Sequence, residues 1–244
     1  TTNLAIRNII GQSKSSFDFR DVMDNGKILI VNLSKGKIGE ENMSFLGLLL
    51  VQKLLAAALS REDMDEKTRK DFFFYADEFQ NFTTDEFASI LSEARKYKLN
   101  LTLAHQYIGQ LPENIKGAVF GNVGTLMIAR CSAEDASFLE TQFDPYIKAG
   151  DMVNQGIGNY YVKLLSKGSY PAPFSLTSLY GKEYPESGFD LPENKDVAET
   201  IKKYSSAKYG RDLEVVNEDI RIRSQLDKKE EPVVAAQPFP PMSF

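Results

Sequence analysis

A chain of 244 residues with 42% hydrophobic content is long enough to bury one sizeable core, and its length favours one domain with appendages. With 34 acidic against 29 basic residues, it lacks the broad basic surface of a protein that coats nucleic acid, although a local basic channel is compatible with this balance. A lone cysteine, Cys131, excludes an internal disulfide; at the end of the apolar run TLMIARC it reads as a small buried residue in a reducing compartment.

The chain opens on threonine without a basic-then-apolar leader, which reads as a fragment or a processed chain. KILIVNL (27–33), entered through the turn signal Asp24-Asn25-Gly26, is predicted to be a buried strand. A loop with Gly36 and Gly39 follows, and residues 42–61 are apolar on every side, as in a helix packed against a sheet. The window from Phe45 to Leu59 is broken by Gln52 and Lys53 and falls short of the roughly 20 apolar residues of a spanning helix, so no transmembrane segment is expected. The charged stretch REDMDEKTRK (61–70) predicts an exposed connection.

DFFFYADEF comes next. Its aromatic run predicts a central strand whose C-terminal end delivers Asp77 and Glu78 to a loop. The helix after it begins at the capping-box spacing Thr83-x-x-Glu86 and sets Phe87, Ile90, Leu91, Ala94 and Tyr97 on one face. LNLTLAHQ (99–106) and GTLMIAR (124–130) predict two further strands, each followed by a helix. Strand and helix alternate through the first 145 residues, the pattern of an α/β fold with a mainly parallel sheet covered on both faces. Beyond Gly150 the alternation stops: residues 159–166 predict a strand and PAPFSLTSL an edge strand entered through prolines. Helices are predicted around 195–209 and 214–226, and the proline-rich, charged end of the chain predicts disorder.

The strand bearing Asp77 and Glu78 fixes both carboxylates at the carboxyl edge of the sheet, where open α/β folds bind ligands. In nucleotide triphosphatases so arranged, the aspartate holds magnesium, usually through water, and the next carboxylate polarises the attacking water. The alternative is an Asp-Glu pair that merely ends a strand and caps a turn. Gln106 closes the following strand, where its amide can reach a terminal phosphate or that water, although a loop glutamine is the plainer reading. His105, the single histidine, alternates to the other face and reads as packed rather than catalytic. Arg95 flanks the apolar stripe of its helix and either reaches the phosphates of a neighbouring subunit or is a solvated arginine in the run ARKYK. No G-x-x-x-x-G-K-[ST] occurs in the sequence, so nothing in it cradles a phosphate.

Taken together, NLSKGKIGEEN, the block from FYADEFQNF through LTLAHQYIGQLPENI, and AVFGNVGTLMIARCSAEDASFLE closely resemble the coupling-protein ATPases of type IV secretion and conjugation, within the FtsK/HerA superfamily. The resemblance runs from about Asp24 to Leu179. It implies that residues 1–181 are the C-terminal part of a RecA-like P-loop NTPase motor and that 182–244 are a charged, partly helical tail. It further implies Asp77 as the Walker B ligand for magnesium, Glu78 as the catalytic glutamate, Gln106 as the sensor glutamine and Arg95 as an arginine finger. The implied cofactors are ATP and Mg2+. The implied partners are single-stranded DNA bound without sequence preference, further copies forming a hexameric ring, a relaxase and secretion-channel proteins. The implied location is the cytoplasmic side of an inner-membrane-anchored protein. Two alternatives stand beside this reading: a HerA-like cytosolic DNA translocase, and a non-hydrolytic scaffold that keeps the motor fold.

Overall fold

Alternation within the aromatic run decides how it folds. FFFYA forms strand β1 (Phe72–Ala76) and LNLTL forms β2 (Leu99–Leu103). The two pair in parallel, with Phe72 opposite Leu99 and Ala76 opposite Leu103. Phe72, Phe74 and Ala76 pack on the core together with Leu99, Leu101 and Leu103, whereas Phe73 and Tyr75 on the other face are 60% and 71% exposed. Helices therefore cover one face of this pair among the described residues. The computed structural model describes residues 3–178 and 194–224, apart from the side chains of Lys37, Asp85 and Glu86.

Helix α2 (Phe19–Asp24), the short α3 (Lys35–Ile38) and the long α4 (Glu40–Leu59) precede β1; α5 (Asp85–Glu93) and α6 (Glu113–Asn122) flank β2 in sequence. The core against the strands is built from Met23, from Val51, Leu54, Leu55 and Ala58 of α4, from Phe87 and Ile90 of α5, and from Ile115 and Val119 of α6. Each large apolar side chain so buried contributes about 1.5–3 kcal/mol. Residues Glu40–Asp63 form a helical stretch with mean hydropathy 1.8, long and apolar enough by composition to cross a membrane. Its length exceeds the sequence expectation; Val51, Leu54, Leu55 and Ala58 lie in the core, whereas Phe45, Leu49 and Leu59 are exposed.

A second, antiparallel sheet follows, in the order β3 (Thr125–Ile128), β4 (Asn159–Leu164), β5 (Phe174–Thr177). Helices α7 (Ala133–Phe143) and α8 (Ala149–Val153) lie between β3 and β4 in sequence, and Ile128, Leu139, Phe143 and Met152 form their own core cluster. Cys131 packs against this cluster, and burial pushes its thiol pKa up. The buried Asp135 carboxylate accepts the backbone N–H of Ile108 at 3.2 Å, tying α7 to the segment after β2.

These elements belong to the unit Asp18–Glu193; Thr1–Phe17 and Asn194–Phe244 form the other. In the latter, α1 (Leu4–Ile10) is capped by the Asn3 side chain and packs with α10 (Leu213–Ser224) through Ile6, Val216 and Ile220. Arg7 Nη2 donates to Asn217 Oδ1 at 2.5 Å. Helix α9 (Lys195–Tyr209) buries no residue and leaves Val197, Ile201 and Tyr204 exposed. The first 17 residues thus group with the C-terminal helices, a pairing across the chain that local pattern does not reveal. The charged stretch after Lys182 and the proline-rich end, for which disorder was predicted, lie outside the described residues at 179–193 and 225–244.

Four expectations need correction. KILIVNL is not a strand: it pairs with no strand among the described residues, and Ile28 and Ile30 are 90% and 83% exposed. GTLMIAR does form β3, but it joins the antiparallel sheet with β4 rather than the parallel pair. Helix α5 is capped by Thr84, whose hydroxyl accepts from Phe87 N, not by Thr83. REDMDEKTRK is not wholly exposed: Arg61 is fully buried, donating to Asp24 and to the carbonyls of Lys70 and Tyr97 at about 3 Å. Arg69 donates to the carbonyls of Arg61, Met64 and Lys96. Of the five N–H donors of a guanidinium, Arg61 places two on carbonyls and one on Asp24, and its buried Nη2 finds no partner among the described residues; Arg69 places three on carbonyls.

Candidate functional site

At the end of β1 the chain turns sharply. Glu78 adopts the left-handed conformation (φ 51°, ψ 43°), which costs a residue with a Cβ about 1–3 kcal/mol and persists only where the surroundings fix it. Several hydrogen bonds do so. Glu78 N donates to Asp77 Oδ1 at 3.0 Å, Phe79 N donates to the carbonyl of Ala104 at 3.1 Å, and the backbone and side-chain nitrogens of Asn81 both donate to the carbonyl of Glu78. A 3₁₀ turn over Phe79–Phe82 follows, anchored by the buried Phe79, which stacks on Phe87 and meets His105 edge-on at 5.2 Å.

This turn sets Asp77, exposed, and Glu78, half-buried, at the carboxyl end of the strand pair. Gln106, three residues beyond β2, reaches the same place: its Nε2 donates to Glu78 Oε1 at 2.5 Å. His105 faces the core instead, and desolvation lowers its pKa. Beside the two carboxylates opens a cavity of about 970 Å3, bordered by Ser34, Lys35, Tyr75, Asp77, Glu78 and Gln106. That volume is ample for a nucleotide-sized ligand. Arg95 is not part of this cluster. It is exposed on the 3₁₀ turn Ala94–Tyr97 that leads into β2, at the opposite edge of the strand pair.

Among the described residues no group of three or more His, Cys, Asp or Glu side chains could hold a metal. Magnesium does not require one, because it commonly takes one or two carboxylates and fills its remaining positions with water and phosphate oxygens. Asp77 fits that part: Oδ1 is engaged by Glu78 N, and the exposed side chain leaves its second oxygen for a hydrated cation.

A family model described as type IV secretory system conjugative DNA transfer matches residues 2–124, half of the chain and the half that contains Asp77, Glu78, Arg95 and Gln106. The chain belongs to this conjugative DNA transfer family. Among solved structures it is similar to the plasmid coupling protein TrwB in complex with the non-hydrolysable ATP analogue ADPNP, at 15% identity and a TM-score of 0.42. That match covers 56% of this chain and spans 38% of the TrwB chain. A search of curated proteins gave no match.

One polar contact of this conjugative DNA transfer chain has no counterpart in the sequence reading. Gln80 Nε2 donates to Glu78 Oε2 at 2.5 Å, so each oxygen of the Glu78 carboxylate is held by a different glutamine amide. A glutamine two residues past an acid looks like an ordinary loop amide in sequence. Only the left-handed turn at Glu78 folds it back.

Proposed function

We propose that this chain carries the hydrolytic side of an ATP-driven motor that moves DNA, or a DNA-protein complex, toward a conjugative type IV secretion channel. The observation that carries the proposal is the convergence of Asp77, Glu78 and Gln106 at one edge of the parallel pair, with Glu78 hydrogen-bonded to Gln106. Family membership supports the role in DNA transfer. Magnesium, when bound, supplies charge neutralisation to the phosphate oxygens. Asp77 holds the hydrated cation, Glu78 takes a proton from the attacking water, and Gln106 orients that water or reports on the terminal phosphate. Arg95 acts on the nucleotide of an adjacent copy in a hexameric ring, consistent with its exposed place away from its own carboxylates. DNA passes through the ring by sequence-independent phosphate contacts, so the overall charge of −5 is no obstacle. The motor works on the cytoplasmic side of an inner-membrane anchor and receives its substrate from a relaxase.

A second reading rests on the sequence, which holds no G-x-x-x-x-G-K-[ST]: a scaffold that depends on a phosphate cradle from outside these residues. The two separate in an assay of DNA-stimulated ATP hydrolysis by the natural full-length polypeptide. The motor reading expects turnover that rises with single-stranded DNA and falls at least about a hundredfold in Glu78→Gln, with ATP binding retained. Absence of turnover in the wild type, or unchanged turnover in the variant, contradicts it.

A further inference from the structure

We propose that Gln80 is a positioning residue that holds the Glu78 carboxylate in its working orientation, while Gln106 is the partner that exchanges during the reaction; this rests on the reading of Glu78 as the base. Both carboxylate oxygens are occupied, Oε2 by Gln80 Nε2 and Oε1 by Gln106 Nε2. A general base must present an acceptor site to water; each oxygen here has one donor, and the amide that is held less firmly yields its place to water more readily. The two amides differ in how they are held. Gln106 is exposed, lies beyond the end of β2, and makes no second side-chain hydrogen bond among the described residues.

Gln80 is fixed from several sides. It follows the buried Phe79 in the 3₁₀ turn, and its own carbonyl accepts the Thr83 hydroxyl at 3.2 Å. Its Oε1 is buried with no partner among the described residues. Turning the amide over would set that oxygen against a carboxylate that can only accept, so the charge of Glu78 holds the amide in one orientation. The left-handed backbone at Glu78 aims the carboxylate back over this turn. Gln80 therefore keeps Oε2 in place when Gln106 withdraws from Oε1, and the freed oxygen points at the space Gln106 vacates.

The test is single-turnover and steady-state ATP hydrolysis by the natural full-length polypeptide as wild type, Gln80→Ala, Glu78→Gln and the double variant. Gln80→Ala is expected to lower kcat about tenfold or more with KM for ATP within about twofold, the signature of a contact that matters in the transition state. In the Glu78→Gln background the same change is expected to cost nothing further, because a residue that acts only through Glu78 has nothing left to position. Gln80→Met, of similar length but without a donor, is expected to match Gln80→Ala. Wild-type kcat in both Gln80 variants overturns the inference alone, and so does a loss that multiplies with Glu78→Gln. Failure of both Gln80 variants to fold also overturns it, since the residue would then serve the fold and not the rate. Normal turnover in Glu78→Gln removes the reading of Glu78 as base, and the inference with it.

Discussion

The side-chain amide of Gln106 lies 2.5 Å from Glu78 Oε1, 28 residues earlier in sequence, joining the loops at the ends of two adjacent parallel strands. If the contact belongs to the reaction, Gln106→Ala should reduce DNA-stimulated turnover while leaving ATP binding near wild type. Once it has left Glu78, Gln106 meets the terminal phosphate or the attacking water; a hydrogen bond to a charged group contributes about 1.5–3 kcal/mol, so the expected fall in kcat is roughly ten- to a hundredfold. Steady-state kinetics with nucleotide titration measures both quantities.

Arg95 sits on the far edge of the strand pair from Asp77 and Glu78, so any part it has in hydrolysis is played on another copy. Arg95→Ala should stop turnover in assembled rings. Mixing it with Glu78→Gln should restore part of the activity, because some interfaces then join an intact arginine to an intact glutamate. Activity of the mixture no higher than that of either variant returns Arg95 to the role of a solvated helix arginine.

Much of the fold was legible in the sequence because it follows from burial. Phe72, Phe74 and Ala76 of β1, the leucines of β2 and the apolar stripe Phe87, Ile90, Ala94 and Tyr97 lie on the core as their pattern predicted, whereas Phe73 and Tyr75 are exposed on the face that a central strand covered on both sides would bury. What escaped depends on partners. KILIVNL has a strand's composition and pairs with no strand among the described residues, and GTLMIAR has no mark that chooses β4 over the parallel pair. Arg61 and Arg69 look like surface residues in REDMDEKTRK, and only the carbonyls that surround them reveal their burial. At the site, the position of Asp77, Glu78 and Gln106 followed from strand ends, whereas the contact of Gln80 required the left-handed turn.

Arg61 and Arg69 together grip the carbonyls of Tyr97 and Lys96, on the turn that presents Arg95. Removing the buried Arg61 leaves Asp24 without one of its partners and two carbonyls without donors. Arg61→Met should therefore destabilise the fold by about 3–5 kcal/mol, measured by denaturant unfolding. A change below about 1 kcal/mol would show that the grip is dispensable.

Gly47 lies in α4 against Phe82, the last residue of the turn that carries Glu78 and Gln80. A Cβ added there would meet the Phe82 ring at 2.2 Å. Gly47→Ala should cost about 1–3 kcal/mol through overpacking, despite alanine's better helix propensity, and should lower turnover by displacing the turn. Thermal unfolding and ATP hydrolysis on the same preparation check both.

His105 supplies a pH dependence. Desolvation lowers its pKa in the folded chain below the ordinary value of 6.5, so the unfolded chain binds the proton more readily. Stability is complete above about pH 6.5 and declines as pH falls from there toward the lowered folded value. His105→Phe should flatten that part of the stability profile, as read from unfolding midpoints between about pH 7 and pH 5.

The most direct measurement is a crystal structure of the natural full-length polypeptide with magnesium and a non-hydrolysable ATP analogue. The account predicts the metal beside Asp77, directly or through one water, and the nucleophilic water within about 2.6–3.2 Å of Glu78, with Gln80 still on Oε2. A nucleotide bound with its terminal phosphate away from the carboxyl ends of β1 and β2, and with Glu78 still closed by both glutamines, would contradict it.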